Sequence, residues 1–256
     1  MTTSTDDIPT FALKRELLRV FNTARAEDVS SSVMSIVNRL QYAGLHLKEV
    51  KRHAKVAVET GLMFSDEDSE PMSDEDEDAR LQQFHRSMFH LGKHVIECVQ
   101  HLHAIADTMA YALYHLVDLT QHLKSSDVYS HKLLKYPEQL GAFETSLKTL
   151  VDCERFGYLR DFNNQAKHKG LPRPKLLNSS EERDPIHRLF FGPIAQIHEA
   201  AHRQGVRYIH PNIPVVSFLK DEIKRMAEVH NEFVTKLMAH VLALPSRVTV
   251  REQSAP

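Results

Sequence analysis

The most constraining feature of the sequence is a helix-period hydrophobic pattern that begins near Arg80 and runs for more than 35 residues without a proline. Apolar residues recur along it every three or four positions, at Leu81, Phe84, Met88, Leu91, Val95, Val99, Leu102, Ile105, Met109, Leu113 and Leu116. That spacing places them on one face of an α-helix. We expect a bend or break at Gly92, because so long a helix is unusual in a globular domain.

The same periodicity predicts helices elsewhere in the chain. Thr10 is a suitable capping residue for a first helix, and a longer second helix is expected to follow the serines at 30–32 and to end at Gly61. A last helix is predicted at about 215–243, with Pro214 near its first turn. Only eight glycines and no tryptophan occur in the chain, which also favours a mainly helical protein.

The segment 171–214 differs in composition from the rest of the chain, because it contains six of the eleven prolines. Proline removes a backbone donor and restricts the residue before it, so regular structure is disfavoured there. We expect irregular structure with a short helix at about 194–203 and a short extended piece at 206–209. The chain as a whole is therefore predicted to be all-α, a bundle of about five to six helices with a proline-rich irregular segment before the last one.

Composition excludes several classes of protein. No apolar run approaches the roughly 18 residues of a membrane span, so no membrane association is expected. The first residues lack the basic and apolar regions of a secretory signal. Cys98 and Cys153 are too few for a disulfide framework, so we expect both to be reduced and buried. Together these features predict a cytoplasmic protein.

A run of nine acidic residues without lysine or arginine occupies residues 65–79. The rest of the chain holds 25 acids against 32 bases, a positive excess that favours a polyanionic partner. We interpret the acidic run as a solvated linker, with folding over a basic face of the same chain as the alternative. The expected organisation is an N-terminal helical extension (1–62), an acidic linker (63–79), a helical core (80–245) and a loose tail (246–256).

The stretch from Cys153 to Pro174 combines a helix with an abrupt stop. The apolar residues at near-helical spacing are Leu147, Leu150, Val151, Tyr158, Leu159 and Phe162, and the polar residues of the last turn are Asn163, Asn164, Lys167, His168 and Lys169. Gly170, followed by two prolines, is a strong signal for the end of a helix. Basic side chains suit the C-terminal end of the helix dipole, so a well-capped helix is one interpretation.

This helix also resembles the signature helix of the HEPN-like superfamily, whose motif is an arginine, a polar residue, three further residues and a histidine. On this chain the histidine position falls on His168, the polar position on Asn164 and the arginine position on Asn163. For HEPN-like ribonucleases the resemblance implies RNA cleavage without a metal, by a paired arginine and histidine, commonly at a dimer interface. Because a neutral amide does not neutralise phosphate charge as a guanidinium does, the altered motif is more similar to the non-catalytic branches.

The resemblance covers about residues 80–243 and implies a HEPN-like helical interaction module. The expected module is a homodimer without a cofactor, is not catalytic, and binds RNA or a protein partner. The alternative is a metal-independent RNA endonuclease in which His168 acts with Asn163, Asn164 and Lys167. In that alternative two copies of 163–168 would face each other across a cleft.

A second alternative is a zinc-dependent hydrolase. His198 and His202 have the His-Glu-x-x-His spacing, which places two imidazoles on one helix face where they can hold Zn²⁺, with Glu199 as the general base. The possible third ligands, none specially spaced, are Glu222, Glu228 and Glu232. With 17 histidines in the chain, an accidental match is the competing interpretation.

Histidines also line the long helix that begins near Arg80. One helical face carries His90, His94, His101 and either Glu97 or Cys98, and another carries His115, Asp118 and His122. Helical bundles build metal sites from ligands at such spacings, although the common Glu-x-x-His pair is absent here. We interpret these residues as solvent-facing or interface histidines that make association sensitive to pH, with metal binding as the alternative.

Overall fold

A computed structural model of the protein describes residues 10–62, 73–170, 172–176, 189–191, 194, 210 and 212–247. The regular secondary structure of these residues is helical apart from one pair of short strands, so the all-α prediction is confirmed. The described α-helices are α1 (Thr10–Val20), α2 (Thr23–Leu62), α3 (Asp74–Leu116), α4 (Ser130–Leu133), α5 (Pro137–Leu140), α6 (Ala142–Val151), α7 (Glu154–His168) and α8 (Val215–Ala243). Single turns of 3₁₀-helix occur at Leu119–Gln121 and Ser125–Asp127.

Two compact units make up the described chain. The first contains described residues within Met1–Arg39, Ala104–Cys153 and Met226–Pro256, and the second contains those within Leu40–His103 and Glu154–Arg225. Helices α2, α3 and α8 contribute residues to both units. None of the described helices combines the length and the apolar character needed to cross a membrane.

Helix α2 begins at Thr23, before the serines at 30–32 that the sequence analysis placed ahead of it. Its start is capped by Asn22, whose Oδ1 accepts a hydrogen bond of 2.8 Å from the backbone N–H of Arg25. The serines are tolerated inside the helix because their hydroxyl groups bond to carbonyl groups of the preceding turn, as Ser32 Oγ does to Asp28 O at 2.7 Å.

Helix α3 also begins earlier than predicted, at Asp74. Ser73 Oγ caps the helix by accepting a hydrogen bond from the N–H of Asp76 at 3.3 Å, and it also donates one to Asp76 Oδ2 at 2.6 Å. The acidic residues 74–77 then occupy the first turn, where the helix dipole favours negative charge. The C-terminal part of the predicted acidic linker is therefore helical, and 63–72 lie outside the described residues.

The break expected at Gly92 does not occur, because α3 is continuous from Asp74 to Leu116. Gly92 lies instead beside the first strand, β1 (Pro174–Leu176), where a Cβ at this position would be 3.8 Å from Pro174 Cδ. The prediction for the last helix is confirmed, since α8 spans Val215–Ala243.

The helix predicted across residues 147–168 is two helices, α6 and α7. The backbone N–H of Asp152 bonds to Lys148 O at 2.8 Å and ends α6, and α7 begins again at Glu154. The predicted stop at Gly170 is confirmed, because this residue has a φ of 113°, which is accessible mainly to glycine. Cys98 is buried as expected, whereas Cys153 is only half-buried.

A two-stranded antiparallel sheet follows α7 and was not predicted from the sequence. Strand β1 pairs with β2 (Leu189–Phe191), with Pro174 opposite Phe191. The ring of Phe191 meets those of Tyr158, Phe162 and Phe218 edge-on at centroid distances of 5.3–5.8 Å, so aromatic packing holds β2 against α7 and α8. The short helix expected at 194–203 and the extended piece at 206–209 fall outside the described residues, apart from Ile194.

Replacing either of two glycines of α2 with alanine should change the free energy of unfolding, in opposite directions for the two positions. No atom of the described residues lies within 4 Å of a Cβ placed on Gly44, so Gly44→Ala should raise the free energy of unfolding by up to about 1 kcal/mol through helix propensity. A Cβ on Gly61 would lie 2.9 Å from Leu176 Cδ2 and 3.1 Å from Phe84 Cε2, so Gly61→Ala should lower it by about 1 kcal/mol. Urea denaturation of both variants checks this, and shifts of the same sign would contradict the packing described.

Candidate metal centre

The structure separates the residues that were predicted to act together at the end of α7. Asn163 is 3% exposed, and its amide nitrogen lies 3.4 Å from His103 Nδ1 on α3. Asn164 is half-buried, whereas Lys167 and His168 are exposed. Asn163 therefore belongs to the packed face of α7 and His168 to its open end. No geometry described for this helix joins them into one site.

The buried polar groups of α7 bond within the second unit. Asp161 is fully buried, and its Oδ2 lies 3.0 Å from His210 Nε2. Its Oδ1 accepts a hydrogen bond of 3.3 Å from Arg160 Nε. Burial of this carboxylate is therefore offset by two partners, one of which positions the chain at residue 210.

The pair His198 and His202 and the expected base Glu199 lie outside the described residues. Of the third ligands considered for that pair, Glu222 is fully buried and lies 2.7 Å from Arg155 Nε and 2.8 Å from Arg225 Nη2. Its carboxylate is therefore committed to a buried ion-pair cluster between α7 and α8. The carboxylate of Glu232 lies 2.7 Å from Lys236 Nζ.

The second predicted histidine face does not form, because α3 ends at Leu116 and Asp118 and His122 lie beyond it. His115 Nδ1 lies 3.5 Å from Asp28 Oδ2, while Asp118 accepts hydrogen bonds from Arg25 and Thr120. The His122 ring packs against Tyr136. These residues have separate partners in the first unit.

The first histidine face of α3 packs against α2 and forms a column of rings. In spatial order the rings are Tyr42, His101, His46, His94, His53 and His90, with successive centroids 5.1–5.8 Å apart and interplanar angles of 14–31°. Residue numbers rise along α2 while they fall along α3, so the two helices are antiparallel here. The histidines predicted to be solvent-facing or interface residues are thus half-buried along the line where two helices of one chain meet.

Three side chains of this column converge closely. His46 Nδ1 lies 3.1 Å from His94 Nδ1, and Glu97 Oε2 lies 3.2 Å from each of these nitrogens. Ligands bound at about 2.05 Å are separated by about 2.9 Å when cis in an octahedron and by about 3.3 Å in a tetrahedron. The three atoms already have the spacing of ligands around one metal ion.

The carboxylate of Glu97 carries an unsatisfied atom at this point. Its Oε2 is buried from solvent and has no hydrogen-bond partner among the described residues, although two imidazole nitrogens lie 3.2 Å away. Its other oxygen, Oε1, lies 4.0 Å from Lys93 Nζ. A buried carboxylate oxygen without a donor is costly, and a cation placed between the three atoms would remove that cost.

The local electrostatics favour ligation by neutral imidazole. Burial lowers the pKa of His46, and the neighbouring positive charge of His94 and Lys93 lowers it further against the opposing effect of Glu97. A neutral ring offers a lone pair to a metal without first losing a proton. Cys98, which the sequence left as an alternative to Glu97, is fully buried, its Sγ donates to Ala43 O at 3.5 Å, and it belongs to neither group of potential ligands that the described residues bring together.

The residues that sequence reasoning missed are on α2. His46, Glu49 and His53 have i, i+3 and i+7 spacing, which places them on one helix face. The sequence does not single them out because apolar periodicity dominates the pattern of α2, and because the two halves of the site are almost fifty residues apart in the sequence. Their shared face was the available signal.

Comparisons with protein-family models, curated proteins and solved structures found no match to this chain. The HEPN-like resemblance, the homodimer, the RNA or protein partner and the ribonuclease alternative stay predictions from the sequence. The metal site is argued from its own geometry.

We expect the metal-free protein to lose stability in acid through His53. Burial lowers the pKa of this ring, and Arg52, His90 and His94 lower it further. The unfolded chain then binds a proton that the folded chain does not. The contribution to stability is thus complete above about pH 6.5 and is lost as the pH falls from there through the lowered folded-state pKa.

Urea denaturation in excess EDTA, repeated between about pH 7.5 and pH 5.5, measures this contribution. His53→Leu should make the pH dependence shallower than in the wild type. His85→Leu, at an exposed position on α3, is the matched control and should leave it unchanged. Equal slopes for His53→Leu and the wild type would contradict the assignment.

Proposed function

We propose that this protein binds a divalent transition-metal ion of the zinc class through His46 Nδ1, His94 Nδ1 and Glu97 Oε2. The observation that carries the proposal is the triangle of these three atoms, with edges of 3.1, 3.2 and 3.2 Å. Two supporting facts are the unsatisfied buried oxygen of Glu97 and the lowered pKa of His46.

The donor set selects the class of metal. Two imidazoles and one carboxylate suit zinc, iron, copper or nickel better than magnesium or calcium, which prefer oxygen ligands. Three protein ligands leave at least one coordination position for water or another small molecule, which is typical of catalytic or exchangeable sites. The ligand side chains are 17–34% exposed, so an ion can enter from solvent without unfolding of the helices.

Metal binding would also cross-link α2 and α3. His46 lies on α2, whereas His94 and Glu97 lie on α3, so one ion would join them within the second unit. An ion that binds only the folded chain stabilises it by about 2.7 kcal/mol when its free concentration is 100 times Kd. For a chain of this size that corresponds to a rise in Tm of about 5–10 °C.

Zinc added to untagged, EDTA-stripped protein should therefore raise Tm by about 5–10 °C in differential scanning fluorimetry or calorimetry. His94→Ala should abolish the rise, since it removes one of the three ligands. His85→Ala, a histidine on the same helix outside the column, should retain it.

The paired substitution His198→Ala and His202→Ala distinguishes this site from the zincin-like pattern. The double variant should show the same zinc-dependent rise as the wild type. A rise lost in that variant and kept in His94→Ala would place the metal at the other pair and overturn the proposal.

A further inference from the structure

A second set of potential ligands adjoins the first on the same face of α2. Glu49, His53 and His94 each offer a ligand atom, and these atoms lie within 4.8 Å of one another. His94 belongs to both sets, and its ring lies between those of His46 and His53 at centroid distances of 5.4 and 5.8 Å. The two sets are therefore neighbours that share one imidazole.

The second set differs from the first because two of its ligand atoms, on Glu49 and His53, already accept hydrogen bonds from Arg52. Arg52 Nη2 lies 2.7 Å from Glu49 Oε2 and 2.8 Å from His53 Nε2, and Arg52 Nε donates to Glu49 Oε2 at 2.9 Å. A guanidinium has no acceptor, so His53 Nε2 must accept with its lone pair and carry its ring proton on Nδ1. That lone pair is the one a metal ion would use.

A cation thus already lies between two ligands of the second set, and it is a side chain of the protein. Glu49 Oε2 and His53 Nε2 are 4.0 Å apart, with the Arg52 guanidinium in contact with both. The Arg52 side chain is 61% exposed, so it can leave without disturbing the packing of α2. In the first set no hydrogen-bond donor of the described residues reaches Glu97 Oε2.

We propose that Glu49, His53 and His94 form a second metal position, which the Arg52 guanidinium occupies as a built-in competing cation. Arg52 directs an incoming ion to His46, His94 and Glu97, and its departure opens the second position one turn further along α2. The inference rests on the proposed function, because His94 serves both positions and a protein that binds no metal has neither.

The test uses zinc binding measured by isothermal titration of untagged, metal-free protein. His46→Ala removes a ligand of the first position only and should weaken binding by more than roughly 100-fold. Adding Arg52→Gln should tighten binding about tenfold or more relative to His46→Ala alone, because Glu49 and His53 are then free to bind. Adding His53→Ala to that double variant should remove the gain.

The matched control replaces a different cation of the same helix. Lys55 is exposed and pairs with Glu59 at 3.8 Å, so Lys55→Gln in the His46→Ala background removes the same charge without freeing a ligand. It should leave the affinity of His46→Ala unchanged. An equal gain from Lys55→Gln and Arg52→Gln would show a general charge effect and overturn the second position.

The two proposals fail in different ways. If the wild type binds zinc, His94→Ala does not, and Arg52→Gln gives no gain in the His46→Ala background, only the second position is wrong. If His94→Ala binds zinc as tightly as the wild type, both positions are wrong. Circular dichroism of each variant confirms that the helices are intact.

Discussion

The antiparallel packing of α2 against α3 within residues 40–103 is the contact on which the candidate site depends. Each helix places imidazoles on the shared face at intervals of four or seven residues, and the rings form one column. Apolar burial holds the two faces in register, with Val50, Ala54, Leu91 and Val95 inaccessible to solvent beside the rings. Ligands distant in sequence thereby acquire separations of about 3 Å.

This arrangement places polar groups where a helix pair ordinarily buries apolar ones. A column of histidines is stabilised by ring stacking, but its nitrogen atoms and the carboxylate of Glu97 lose part of their contact with water, which is unfavourable. Arg52 offsets that cost at Glu49 and His53. The side chain of Glu97 has no equivalent partner for Oε2 among the described residues, and the metal ion that we propose would supply one. The site is a row of potential ligands along the shared face of α2 and α3, and in the group formed by His46, His94 and Glu97 one carboxylate oxygen has no partner among the described residues.

Much of the fold could be predicted because helix periodicity is strong in this chain. The bounds of α8 followed from Pro214 and the apolar spacing, and the end of α7 followed from Gly170. The starts of α2 and α3 were predicted too late, because the caps are formed by Asn22 and Ser73, which precede first turns without large apolar residues. The β1–β2 pair depends on long-range aromatic packing, which local patterns do not encode.

Only the half of the candidate site that lies on α3 was indicated by the sequence. Regular spacing on α3 indicated His94, Glu97 and His101, but it could not show which helix faces them. That pairing is a tertiary contact, and it decides whether a row of histidines meets solvent or a second row. At Asn163 and His168 the sequence motif suggested one site that the fold does not form. A spacing of five residues on α7 leaves the first side chain buried and the second exposed.

The most direct test of the account is anomalous diffraction at the zinc absorption edge from crystals grown with zinc. The account predicts a peak about 2 Å from His46 Nδ1, His94 Nδ1 and Glu97 Oε2. Zinc peaks found only at other histidines, with Glu97 Oε2 still lacking a partner, would contradict it.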